Sequence, residues 1–346
     1  MIILLLLLAG FFAAAIGFGF YLSGPKYKGP MSDHFDGKQF SNPTGLKAKG
    51  LGDVMQWMLN RQQGPWNENK EIPFGDKPVP TSDELRITYV NHSTFLIQVA
   101  GINILTDPVW SERTSPFQFA GPKRMRPPGI KFEDLPKIDV VLLSHNHYDH
   151  LDHLDLPVMM KIFQIHKPKI VTPLGVKAFL EQNNISGHGD LDWWGEIALS
   201  DSLKVQAVPA QHFSGRGTFD RDATLWCGYV IKRDQGNIYF VGDTGYNEKT
   251  FKEIGERCSP IAVALVPIGA YKPQWFMSPI HCSPEEAVRI HLEVKAKVSI
   301  ADHYGTFPLA DDGEEDPKVE LIKALEKLNV QNEQFLLLKE GRHMIF

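Results

Sequence analysis

Four short apolar runs in this chain each stop at a histidine or an aspartate, and that recurrence limits the folds open to it more than any other feature. Ile138 to Leu143, dominated by β-branched residues, reads as a strand buried on both faces. It leads directly into His145-Asn-His147-Tyr-Asp149-His150. Leu203 to Pro209 leads through Ala210 and Gln211 to His212, Ile238 to Val241 leads through Gly242 to Asp243, and Val298 to Ala301 leads through Asp302 to His303. Strands that deliver His and Asp from their carboxyl ends place those side chains on one rim, where loops converge and sites form.

The cluster from His145 to His150 has metal-binding spacing. His145 and His147, two residues apart, project to the same side of an extended backbone, while Asp149 and His150 follow a turn and face a second ion. Neutral imidazole with carboxylate suits zinc, with iron or manganese as alternatives, and the absence of a nearby cysteine argues against a closed structural zinc site.

With His145, His147, Asp149 and His150 in an HxHxDH pattern and His212, Asp243 and His303 at later strand ends, residues 81–346 resemble the metallo-β-lactamase superfamily. The resemblance implies an α/β fold, a four-layer αββα sandwich. It also implies a dinuclear site: one metal on His145, His147 and His212, the other on Asp149, His150 and His303, with Asp243 bridging. Leu105 to Pro108, Gly121 to Arg124, Ser144 to Asp152, Gly269 to Met277 and, most specifically, His281 to His291 narrow this further. They are similar to the family of N-acyl-phosphatidylethanolamine-hydrolysing phospholipases D. That branch implies two Zn2+ and a membrane phospholipid cleaved to N-acylethanolamine and phosphatidic acid. It also implies an active-site histidine at His281, beside phosphate. A lactonase or sugar-phosphate lactonase of related fold is the alternative. A di-iron oxygen-reducing protein normally carries a flavin domain that this chain lacks, and seven retained ligand positions oppose a metal-free scaffold.

Ser283, Pro284 and Glu286 predict a helix start, with Ser283 as N-cap, Pro284 in the first turn and Glu286 completing a capping box, so His281 sits just outside it. Asp107, after the strand Ile102 to Leu105, is expected to orient a metal-bound histidine or water, or else to form a turn before Pro108. The expected catalytic groups are therefore Asp149, His281 and Asp107. Lys123 and Arg124, with Arg126, form a basic cluster able to meet phosphate or an anionic membrane, or else a solvated loop. His92 in the first hairpin reads as structural, and His291 as a packing residue inside its helix.

The chain of 346 residues is long enough for a substantial core, and ligands spread from Asp107 to His303 favour one catalytic domain, residues 81–346. A net charge of -5 gives no reason to invoke nucleic acid. The three cysteines, Cys227, Cys258 and Cys282, have no short paired spacing and fit a reducing compartment. Ile2 to Leu22 is apolar, uncharged and long enough to cross a bilayer core of about 30 Å, so residues 1–24 are expected to be a single transmembrane anchor. The lysines that follow it place the catalytic domain on the cytoplasmic side. Residues 25–80 read as an arm with one helical island, Leu51 to Arg61, that either packs on the domain or meets lipid. The acidic stretch Asp311 to Asp316 reads as a solvated loop. Homo-oligomerisation is left open.

Overall fold

The structure, a computed structural model, describes residues 10, 16–67, 73–117, 119–151, 157–187 and 189–346. Two seven-stranded sheets face each other. The first runs in the order β14 (His343–Ile345), β1 (Arg86–Asn91), β2 (Thr94–Val99), β3 (Ile102–Thr106), β4 (Val140–Leu142), β5 (Lys169–Pro173) and β6 (Gly189–Leu191). The second runs β13 (Phe335–Leu336), β12 (Ala296–Asp302), β11 (Ile261–Pro267), β10 (Asn237–Phe240), β9 (Gly228–Lys232), β8 (Lys204–Val208) and β7 (Glu196–Ala198).

Residues of period two divide the first sheet between two cores. Ile87, Tyr89, Phe95, Ile97, Ile104, Val140 and Leu142 pack toward the second sheet. Their neighbours Val90, Leu96, Leu105 and Val141 face outward onto α2 (Pro157–His166) and α3 (Val176–Gln182), meeting Met159, Ile162, Val176 and Leu180. The outer face of the second sheet is covered by α4 (Glu248–Cys258), α6 (Pro284–Glu293) and α7 (Asp316–Leu328), through Phe251, Ile254, Ala287, Val288, Leu321 and Leu325. Helices outside and sheets within give the layered αββα arrangement the sequence implied.

Strand direction explains the rim. β10, β11 and β12 are mutually parallel, and β8 regains their direction because both β8·β9 and β9·β10 are antiparallel. Their carboxyl ends therefore finish together, as do those of the parallel strands β3 and β4 in the opposing sheet.

Of the expected transmembrane segment Ile2 to Leu22, all but residues 10 and 16–22 lies outside the described residues, and among the described residues no helix is long and apolar enough to cross a membrane. Residues 16–22 are helical, and Phe18 and Phe20 stack on Phe117 and Phe219 of the domain. The helical island appears as α1 (Leu51–Leu59). Val54 and Trp57 pack against Phe276, Met277 and Ile280, while Leu51, Met55, Met58 and Leu59 face solvent.

The acidic stretch after His303 is not a solvated loop. Asp311, Asp312 and Glu314 are buried. Asp311 accepts from Trp57 Nε1, Asp312 accepts from the Ala270 N–H, and Glu314 receives the guanidinium of buried Arg126, which also reaches Glu340. These carboxylates hold α1 and the β11 loop in place, so charge was matched internally rather than by water.

Candidate metal centre

The loop after β4 is held by Asp107, which directly follows β3, is fully buried and has a left-handed backbone at φ 30°. Its Oδ1 accepts from the Ser144 N–H at 2.7 Å. Its Oδ2 accepts from Ser144 Oγ at 2.6 Å and from His150 Nδ1 at 2.7 Å. Burial pushes this carboxyl up, and the bonds from His150 and Ser144 draw it back. Ser144 Oγ, having donated to Asp107, accepts from His145 Nδ1 at 2.9 Å. His212 Nδ1 donates to the Ile280 carbonyl at 2.8 Å. In all three imidazoles the far nitrogen is thus tied to an oxygen, which leaves the Nε2 lone pair aimed inward, as a metal ligand requires.

Those lone pairs converge on two places. His145 Nε2 and His212 Nε2 lie 2.8 and 3.2 Å from His147 Nδ1, and the ligand atoms of His145, His147 and His212 fit within a sphere of contacts no wider than 4.8 Å. His92, Asp149, His150 and His303 form a second such group. Asp243 Oδ2 lies between the two, 3.2 Å from His150 Nε2, 3.1 Å from His303 Nε2 and 3.7 Å from His212 Nε2. All seven residues named from the sequence are brought together, in groups that overlap: His145 also lies with His150 and Asp243, and His212 with Asp243 and His281.

Two glycines permit this approach. Gly242, at φ 66°, turns the chain from β10 into Asp243, and a Cβ there would sit 3.0 Å from Ser144 Cβ. A Cβ on Gly269 would meet the His303 carbonyl at 2.0 Å, so only glycine lets the β11 loop pass. Thr244 joins the loops, donating its Oγ1 to Gly245 O, accepting from the Gln211 N–H and, through its carbonyl, from the Cys282 N–H.

The electrostatics suit cations. Burial, reinforced by neighbouring imidazoles, holds His145 well below the usual histidine range and brings His147, His212, His281 and His92 down to about 3, so all five are neutral at ordinary pH. Burial opposes charge on His150 and His303 as well, yet Asp243 and Asp149 outweigh it and raise both, His303 to about 10. The carboxylates thus demand positive charge at a point where Nε2 of His150 and His303 and Oδ1 of Asp243 have no hydrogen-bond partner among the described residues. Divalent cations satisfy the demand and the orphaned atoms together, so the donor set fits a metal centre.

His281 is held beside it. Its backbone N–H donates to Met277 O, and its Nδ1 is 3.9 Å from Asp243 Oδ2, with no hydrogen-bond partner among the described residues. The predicted capping box follows, with Ser283 N–H donating to Glu286 Oε2 at 2.8 Å. His291 bonds Ser299 Oγ and packs inside α6, as its position suggested. His92, read as structural, braces the second group: its Nε2 is 3.1 Å from Asp149 Oδ2, its carbonyl accepts from the His303 N–H and its ring lies 4.2 Å from that of His303. It follows the end of β1 as the candidate ligands follow their strands, which was the signal for its place beside them. The basic cluster belongs to the loop architecture: Arg124 donates to the Ser111 and Val109 carbonyls and lies over Phe307, Lys123 is exposed on a bridge with Arg113, and Arg126 is buried among carboxylates.

Residues 102–304 match the family model described as the beta-lactamase superfamily domain, and the chain belongs to that family: it is a metal-dependent hydrolase of the metallo-β-lactamase superfamily. Within it, the chain is 36% identical over 298 residues to N-acyl-phosphatidylethanolamine-hydrolyzing phospholipase D 1 of Caenorhabditis elegans, covering 79% of this chain and 82% of that one. It is 32% identical to the mitochondrial N-acyl-phosphatidylethanolamine-hydrolyzing phospholipase D of Saccharomyces cerevisiae, over 68% of this chain and 50% of that one. Its fold is shared with a metallo hydrolase from the archaeon Ignicoccus hospitalis, at a TM-score of 0.58 and 24% identity over 76% of this chain and 98% of that one.

Proposed function

We propose that this chain is a dinuclear zinc phosphodiesterase of the phospholipase D type, which hydrolyses N-acyl-phosphatidylethanolamine to N-acylethanolamine and phosphatidic acid. The observation that carries the reading is the pair of histidine groups sharing Asp243, taken with the activity named for the worm and yeast relatives. His145, His147 and His212 would hold one ion, Asp149, His150 and His303 the other, and Asp243 both. Bound there, two zinc ions supply Lewis acidity and a water of lowered pKa.

The chain's own residues do the rest. Asp107 and Ser144 fix the imidazoles of His150 and His145 so that neither reorganises during reaction. His281 stays neutral, because burial holds it near 3, and so offers the substrate phosphate a hydrogen bond rather than a stored proton. The exposed side chains Leu51, Met55, Met58 and Leu59 of α1, whose opposite face packs beside the site on Phe276 and Ile280, suit acyl chains of a bilayer. The apolar segment Ile2 to Leu22 anchors the protein, with the catalytic domain on the cytoplasmic side.

Hydrolysis of defined phospholipids in oxygen-18 water tests this. Attack at phosphorus puts label in phosphatidic acid and none in N-acylethanolamine. Label in the alcohol, or release of free fatty acid, refutes the phospholipase D reading, and turnover of lactones in place of phosphodiesters supports the alternative lactonase. Elemental analysis approaching two zinc equivalents supports the dinuclear centre, and full activity without metal refutes it.

A further inference from the structure

The support of His212 extends outside the matched family domain, into the arm. Asn42 is 7% exposed, in an irregular stretch before α1, and its carboxamide is fully engaged. Oδ1 accepts from the His212 N–H at 2.9 Å and from Trp226 Nε1 at 3.0 Å, while Nδ2 donates to the His212 and Leu46 carbonyls, both at 2.8 Å. Two donor hydrogens and two acceptor lone pairs are all such an amide has. β8 ends at Val208, so His212 lies beyond its ladder, and the paired contact from Asn42 takes the place of a neighbouring strand. Thr44 Oγ1 donates to Gln211 Oε1 at 2.8 Å, so the arm grips two consecutive residues. The Ile280 carbonyl fixes the other end of the same ring.

We propose that Asn42 is a positioning residue of the metal centre: through the backbone of His212 it aims Nε2 at the first metal, which makes the arm part of the site. The inference rests on the dinuclear reading above. Without the carboxamide the His212 N–H and C=O lose these partners, and the first metal loses the aim of one of its three histidines. The second set is held separately, by Asp107 on His150 and by the His92 carbonyl on the His303 N–H.

The test is competition of full-length protein with a chelator for zinc, in wild type, Asn42→Ala and Asn42→Asp. The aspartate keeps the size and the acceptor for the His212 N–H but sets a carboxylate against two carbonyls. In both variants one zinc equivalent should weaken by about 10- to 100-fold while the other holds its wild-type affinity. Turnover lost at trace zinc should return when zinc is raised, with KM unchanged, a rescue that general loosening of the fold does not give. If Asn42→Ala fails to fold, Asn42→Asp decides. Wild-type zinc affinity in the variants, or lost turnover that zinc does not restore, overturns the proposal. A wild type that binds no zinc overturns the metal reading instead.

Discussion

Replacing Asp107 by Asn isolates one contact without disturbing the backbone, since asparagine tolerates the left-handed φ of 30° as well as aspartate does. The amide oxygen still accepts from the Ser144 N–H, now 2.7 Å away, and the Ser144 hydroxyl can rotate. The amide nitrogen, however, faces His150 Nδ1–H across what was a 2.7 Å bond. Either the two donors part, or His150 moves its proton to Nε2, which lies 3.2 Å from Asp243 Oδ2 where a ligand lone pair is needed. A buried donor left unpaired costs about 1–3 kcal/mol in the metal-free protein. Loss of such an outer contact weakens metal binding by about 10- to 100-fold, or about 1.4–2.7 kcal/mol. Chelator competition should show this on the second equivalent of zinc, with a smaller effect on the first through Ser144 and His145. Second-site affinity indistinguishable from wild type would refute the assigned tautomer and the role given to Asp107.

His281→Ala should lower turnover on phospholipid while metal content stays at the wild-type value; unchanged kinetics would remove His281 from the site. Serine at Leu51, Met55, Met58 and Leu59 should weaken vesicle binding by up to about a thousandfold, since each of the four side chains contributes on the order of 1 kcal/mol, with detergent-dispersed substrate turned over normally. Equal loss on both substrates contradicts the lipid-facing role. The arm should loosen as pH rises. His34 bridges Asp192 and Asp33, and although burial lowers its pKa their hydrogen bonds raise it above 6.5 overall. Its contribution is full below 6.5 and fades as pH climbs through the raised folded value. Proteolysis of residues 25–50 should quicken over that range in wild type and not in His34→Gln; a flat wild-type profile counts against this pin.

The candidate ligands were legible because each follows an apolar run, so strand period and site chemistry occupied the same few residues. Asn42 and His34 were not, for the arm has no periodicity and an amide or imidazole in a loop announces nothing until its partners, 170 and 158 residues away, are folded against it. Asp311 to Asp316 misled for a related reason: a run of acids signals water unless the Arg126 guanidinium, the Trp57 indole and a stray backbone N–H are known to face it. His92, read as structural, sits one residue past β1 and holds Asp149 and the His303 backbone in place.

The ligands are split along the chain as well as between the sheets. On a ribosome His145, His147, Asp149 and His150 emerge together, and His303 follows 153 residues later, an interval on the order of 10 s at ordinary rates of synthesis. During that time the nascent loop is an open chelator with half its donors, and the most competitive divalent ion present takes it, whichever that is. The strand β14, paired with β1, follows all of these residues in the chain. Protein made in media of different metal content should therefore carry different ions, which elemental analysis of the purified samples would show.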